Sequence, residues 1–134
     1  IGYKSAVFTE VESGIYWLAG VFDKSESLPT APKGSKRPCV WAKLQHNESG
    51  KILYFFSTHF VVPGISKEGN AYNAENCIGY ASKLIGSTKT PSVIVGDFNA
   101  AKGAFLRSQH PRPRYSAGVS IAANPNWRYR TALI

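Results

Sequence analysis

Two short stretches hold the side chains best suited to chemistry. Gly96-Asp97-Phe98-Asn99 follows the apolar run Ser92-Val93-Ile94-Val95, and Ser57-Thr58-His59-Phe60 closes the run Leu53 to Phe56. Polar groups just beyond an apolar strand sit at its carboxyl end, where open α/β sheets place their ligand sites. In extended backbone, residues two apart point the same way. Asp97 and Asn99 are therefore expected to face one side while Phe98 turns into the core, and Gly96 leaves room for close approach. Each stretch has a bland explanation when taken singly: Asp and Asn favour turns through local hydrogen bonds, and a single histidine at a strand end is usually structural. Together they form an inventory suited to phosphoester hydrolysis. The carboxylate can hold a divalent cation or orient an attacking water, the amide can hydrogen-bond a phosphoryl oxygen, and the imidazolium can stabilise charge or protonate a leaving oxygen.

The elements that must position these groups follow from hydrophobic patterning. Strands are expected at Lys4 to Phe8, Gly14 to Ala19, Val40 to His46, Lys51 to His59 and Ser92 to Val95. The polar, glycine-bearing stretch His46 to Lys51 suits a hairpin loop, so the third and fourth of these should pair antiparallel. Asp23 to Pro38 is rich in Ser, Pro, Gly and Lys and reads as a long surface loop. From Asn70 to Ile85, the residues Ala74, Cys77, Ile78, Ala81, Leu84 and Ile85 recur at intervals of three and four, which defines one helical face, and Gly86 stands where a C-cap belongs. Strand, helix and strand in that order predict a parallel crossover that sets His59 and Asp97 on neighbouring strands. Further on, Lys102 to Ser108 suits a turn or two of helix, and the prolines of His110 to Arg114 demand irregular backbone.

At 134 residues with 43% apolar content the chain suits one folded domain rather than a disordered segment. The absence of methionine and the closing apolar run Thr131 to Ile134 suggest an excised piece. No apolar stretch approaches the roughly eighteen residues of a membrane span, and no leader pattern opens the chain. The net charge is +8, with no acidic residue after Asp97 while Lys102, Arg107, Arg112, Arg114, Arg128 and Arg130 follow. Such a field draws phosphate-bearing partners, although a solvated basic surface explains it equally well. Cys39 and Cys77 are too few for a disulfide framework and too far apart in sequence for a metal knuckle. Two buried thiols are the favoured reading, and a single bridge stays open.

Phe56-Ser57-Thr58-His59-Phe60, one helix, and Val93 to Ala100 resemble the paired THL and GDFN signatures of the endonuclease/exonuclease/phosphatase family, the superfamily of deoxyribonuclease I. Gly14-Ile15-Tyr16-Trp17-Leu18-Ala19 is similar to the family's G-x-F-W-L-S strand. Arg37-Pro38-Cys39-Val40-Trp41-Ala42 is similar to its R-x-x-T-W-A strand, and Tyr129-Arg130-Thr131 to a Y-x-T strand. The resemblance implies that His59 contacts phosphate and serves as general acid, that Asp97 orients the nucleophilic water or binds metal, and that Asn99 binds the scissile phosphate. It suggests substrate contact for Arg37, with a loop-capping surface arginine as the alternative.

The same resemblance implies an α/β fold in which two mixed β-sheets pack face to face with helices outside, a four-layer α/β/β/α sandwich. It further implies a cation such as Mg2+, Mn2+ or Ca2+. Residues 1–134 are then expected to form a single partial domain, because the family's early asparagine, its metal-binding glutamate and its final aspartate-histidine pair have no counterpart in this sequence. Glu10 and Glu12 are expected to be loop or edge residues rather than substitutes for that glutamate. The expected function is metal-dependent hydrolysis of phosphodiester or phosphomonoester bonds by the parent protein, this piece being inactive alone. The alternative is an inactive family member that binds phosphate or nucleic acid. The substrate is a phosphate ester, with nucleic acid among the candidates, and Trp127-Arg128-Tyr129-Arg130 reads either as a base-stacking segment or as an ordinary strand.

Overall fold

A computed structural model describes residues 1–100, Asp23 and Lys89 excepted. The elements and motifs expected from Lys102 onward lie outside the described residues. The elements run β1 (Phe8–Trp17), β2 (Pro38–His46), β3 (Ile52–His59), α1 (Lys67–Ile85) and β4 (Ser92–Asp97). They make one four-stranded sheet in the order β1-β2-β3-β4, antiparallel except for the β3–β4 pair, which is parallel. Both the hairpin and the crossover through α1 are therefore as the sequence predicts. Of the expected two-sheet sandwich, the described residues form one sheet and one helix.

The first strand differs from expectation. Of the expected strand Lys4 to Phe8 only Phe8 is in a strand, as the first residue of β1: the Val7 and Phe8 N–H groups both donate to the Lys4 carbonyl at 2.9 Å, which closes a turn before it. β1 instead runs unbroken through Thr9-Glu10-Val11-Glu12-Ser13, with a register shift between Glu10 and Glu12. A bulge adds one residue and inverts the alternation beyond it, which hides a strand from a period-two reading. As an edge strand β1 also tolerates polar residues on both faces, and Glu10 and Glu12 lie exposed along it.

α1 begins a turn earlier than its apolar face suggests. The Ser66 side chain accepts the Gly69 N–H at 2.8 Å as N-cap, Glu68 and Lys83 complement the helix dipole, and the Gly86 N–H closes the last turn on the Ser82 carbonyl at 2.9 Å. The helix covers one sheet face, and Tyr16, Cys39, Trp41, Tyr54, Phe56 and Ile94 join its Ala74, Cys77, Tyr80, Ala81 and Ile85 in the core. Ile78 and Leu84 are only half-buried, and Tyr80 takes the place expected of them. Cys39 and Cys77 are both buried free thiols. A hydrogen bond with Cys39 and then burial hold the Cys77 thiol well above its usual pKa, and burial does the same for Tyr16, whose hydroxyl donates to the Cys77 carbonyl at 3.0 Å.

The opposite sheet face is unevenly covered. At one end the N-terminal residues Tyr3 and Val7 close over Leu44, Leu53 and Phe55 around an apolar hollow of about 350 Å³. At the other end Ile15 is 55% exposed, and Val40, Val93 and Val95 are half-buried. Among the described residues no helix is long and apolar enough to cross a membrane.

Candidate active site

The parallel pair β3–β4 ends on the rung His59↔Asp97. Their side chains share a face, and His59 Nε2 lies 3.7 Å from Asp97 Oδ2, with the two side chains 56% and 65% exposed. An ion pair this open contributes little to stability. Its position at the carboxyl ends of two parallel strands is where an α/β sheet offers groups to a ligand.

Asp97 is held on both sides. Its Oδ1 accepts the Asn99 N–H at 2.9 Å, while Oδ2 faces His59. The turn reading and the site reading of Gly96 to Asn99 are thus compatible, because the turn orients the carboxylate. The backbone does not continue extended through Asn99 as the sequence reading supposes. β4 ends at Asp97, and Asn99 takes φ 47°, a left-handed conformation that asparagine tolerates better than most residues. The Asn99 side chain therefore swings toward β3, where Nδ2 donates to the Phe60 carbonyl at 2.8 Å. Among the described residues nothing else takes up its second N–H or its oxygen. Phe98 does enter the core, 5.1 Å centroid to centroid from Phe60.

Gly96 has a specific cause. Its φ is +143°, and a Cβ there would collide with the Thr58 carbonyl on the adjacent strand. Only glycine lets β4 lie this close to β3 one rung before His59 and Asp97.

Arg37 reaches the same end of the sheet. It precedes Pro38, whose carbonyl accepts the Thr58 hydroxyl at 2.8 Å, and its own carbonyl accepts the Leu18 N–H at 2.7 Å. Its backbone is thereby fixed and its side chain is half-buried.

No protein-family model matches the chain, and no curated protein matches it. Solved structures do. An endonuclease/exonuclease/phosphatase family protein from Bacteroides thetaiotaomicron aligns at 25% identity and TM-score 0.61, covering 72% of this chain and 34% of its own. An endonuclease/exonuclease/phosphatase from Bacteroides vulgatus aligns at 25% and 0.62, covering 76% and 37%. The described residues form part of an endonuclease/exonuclease/phosphatase fold. A mannosyl-6-phosphatase of Bacteroides thetaiotaomicron shares that fold at 24% identity and TM-score 0.64, covering 78% and 39%. The chain thus spans little more than a third of the length of these proteins.

Within this piece of the endonuclease/exonuclease/phosphatase fold, two residues that sequence reading misses lock the site in place. Asn73 is fully buried. Its Oδ1 accepts the Val61 N–H at 3.0 Å, and its Nδ2 donates to the Ser35 carbonyl at 2.6 Å and the Leu18 carbonyl at 3.4 Å. Asn70 Nδ2 bridges the Val61 carbonyl at 2.7 Å and the Phe98 carbonyl at 3.0 Å. One helix face therefore grips the segments following both β3 and β4, the two that carry His59 and Asp97. The available signal was a pair of asparagines lying on the buried stripe of an amphipathic helix, where polar side chains persist only when hydrogen-bonded.

For a hard cation, Asp97 offers one carboxylate. The described residues hold no group of three His, Cys, Asp or Glu side chains that could enclose a metal. Mg2+ demands near-octahedral oxygen ligation. The described residues by themselves do not fit such a site.

Proposed function

We propose that this chain supplies one wall of the active site of a phosphoesterase. The observation that carries the reading is the His59–Asp97 rung: an imidazole and an oriented carboxylate 3.7 Å apart at the carboxyl ends of paired parallel strands. Groups at that spacing can address one phosphoryl centre together. In this reading the Asp97 carboxylate takes a proton from, or orients, the attacking water. The protonated His59 imidazole donates a hydrogen bond to a phosphoryl oxygen and then a proton to the departing alkoxide oxygen, and the second N–H of Asn99 steadies another phosphoryl oxygen. Arg37 draws the anion to this end of the sheet.

The half-open sheet face around Ile15, Val40, Val93 and Val95 suits a second sheet laid over it, as in a four-layer sandwich. That second layer would form the facing wall and carry further oxygen ligands to a divalent cation such as Mg2+, Mn2+ or Ca2+, with Asp97 as one ligand. The substrate is a phosphodiester or phosphomonoester. The +8 charge favours an anionic partner, nucleic acid included.

Hydrolysis of an artificial phosphodiester and of its monoester by the full-length protein carrying this chain, with and without a chelator, tests the reading. Chelator-sensitive turnover supports it. Tight phosphate binding without turnover supports an inactive binding module instead.

A further inference from the structure

The segments that leave β3 and β4 are stitched into one unit just beyond His59 and Asp97. The Phe60 N–H donates to the Asp97 carbonyl at 3.0 Å, and the Asn99 side chain returns a hydrogen bond to the Phe60 carbonyl. The Phe60 and Phe98 rings meet edge to face between the two segments. Asn70 closes the unit from α1. Its Nδ2 donates to the Val61 carbonyl at 2.7 Å and to the Phe98 carbonyl at 3.0 Å, which engages both N–H groups of one amide. Val61 follows His59 by two residues and Phe98 follows Asp97 by one. One nitrogen atom therefore ties together the backbones on which the imidazole and the carboxylate stand.

Asn73, one turn further along α1, does something different. Its hydrogen bonds run to Val61, Ser35 and Leu18, so it ties the β3 segment to the chain before β2 and after β1. Of the two asparagines, Asn70 is the one that bridges β3 to β4. Asn70 is half-buried, whereas Asn73 is wholly buried. Loss of Asn73 should thus cost more stability, and loss of Asn70 should bear more directly on the spacing within the site.

We infer that Asn70 is a positioning residue: its amide sets the spacing of His59 and Asp97, and it acts on the reaction only through them. The inference rests on the phosphoesterase reading above. The His59–Asp97 contact, at 3.7 Å and largely open to solvent, is too weak to hold its own geometry. That geometry is imposed by the backbone underneath, where Asn70 acts. A reacting group displaced by about 1 Å can lose on the order of a hundredfold in rate. A loss of this kind appears in kcat, because the groups that bind the ground state are untouched.

The test uses the full-length protein with bis(4-nitrophenyl) phosphate and 4-nitrophenyl phosphate in the presence of Mg2+, with urea unfolding of each variant alongside. Asn70→Ala should lower kcat by about tenfold with KM changed by less than about twofold. Its urea midpoint should nevertheless move less than that of Asn73→Ala, whose kcat should fall less. Asn70→Asp keeps the shape but turns an oxygen toward a carbonyl, and its kcat should fall at least as far as that of Asn70→Ala. Asn70→Gln retains both donors on a longer arm and should recover part of the loss. If Asn70→Ala does not fold, Asn70→Ser, which keeps one donor, carries the comparison with a smaller fall. Losses of kcat that simply follow the midpoint shifts of the Asn70 and Asn73 variants overturn the inference, as does a loss confined to KM or a normal rate in Asn70→Asp. Asp97→Ala separates the inference from its foundation. Turnover lost in Asp97→Ala but kept in the Asn70 variants overturns the positioning role alone. Turnover kept in Asp97→Ala, or absent from the wild type, removes the phosphoesterase reading and this inference with it.

Discussion

Replacing Gly96 with alanine should be among the most damaging small changes to this sheet. At φ +143° an L-residue carries about 1–3 kcal/mol of backbone strain. The added Cβ also meets the Thr58 carbonyl, which belongs to a paired strand and moves only with it, adding about 1–3 kcal/mol of overpacking. The expected loss is about 2–6 kcal/mol. Gly50→Ala is the control: φ is +66°, and the nearest atom to a Cβ there is the flexible Gln45 Nε2 at 3.7 Å, so only a left-handed penalty of about 1–2 kcal/mol applies. Both changes stiffen the unfolded chain alike, so that contribution cancels in the comparison. Urea unfolding of the two variants, read as midpoint and slope, gives the difference directly. In the full-length protein, under the proposed function, folded Gly96→Ala should also lose turnover, because the strained rung adjoins His59 and Asp97. If Gly96→Ala costs no more than Gly50→Ala, close approach of β4 to β3 does not explain the glycine, and the site geometry drawn from it fails.

Asn73→Ala should destabilise the protein by about 2–4 kcal/mol, since it strands the buried Val61 N–H and two carbonyls; a urea midpoint within error of wild type would contradict this. Cys39 and Cys77 should resist thiol reagents near neutral pH until the protein is unfolded, because a raised Cys77 pKa and burial keep reactive thiolate scarce, and the rate with Ellman's reagent in and out of denaturant measures it. Calorimetric titration of this 134-residue chain with magnesium should show no tight site, because one carboxylate cannot hold the ion against water.

Much of this arrangement is written locally in the sequence. His59 and Asp97 stand out because each ends an apolar run, and the helix and hairpin that make their strands neighbours carry their own periodicity and turn residues. What local reading misses depends on long-range geometry. The bulge near Val11 splits the pattern of β1, so its continuity emerges only from pairing with β2. Asn70 and Asn73 look misplaced on a core-facing stripe until the strand-end segments they bind are in position. The left-handed turn at Asn99 sends its amide to Phe60 rather than along the line of Asp97, a consequence of a strand ending that alternation cannot foresee.

The central claim is that Asp97 acts on the reacting phosphate, and the most direct measurement is steady-state turnover of Asp97→Ala beside Arg37→Ala in the full-length protein. Asp97 is fixed by the Asn99 N–H directly beyond β4, and under the proposed function a carboxylate so held would act in the transition state. Its loss should lower kcat by about a hundredfold or more, on the order of 3 kcal/mol, with little change in the urea midpoint. Arg37→Ala should chiefly raise KM. A folded Asp97→Ala protein that turns over at a near-normal rate would show that Gly96 to Asn99 is only a turn, and would contradict the account.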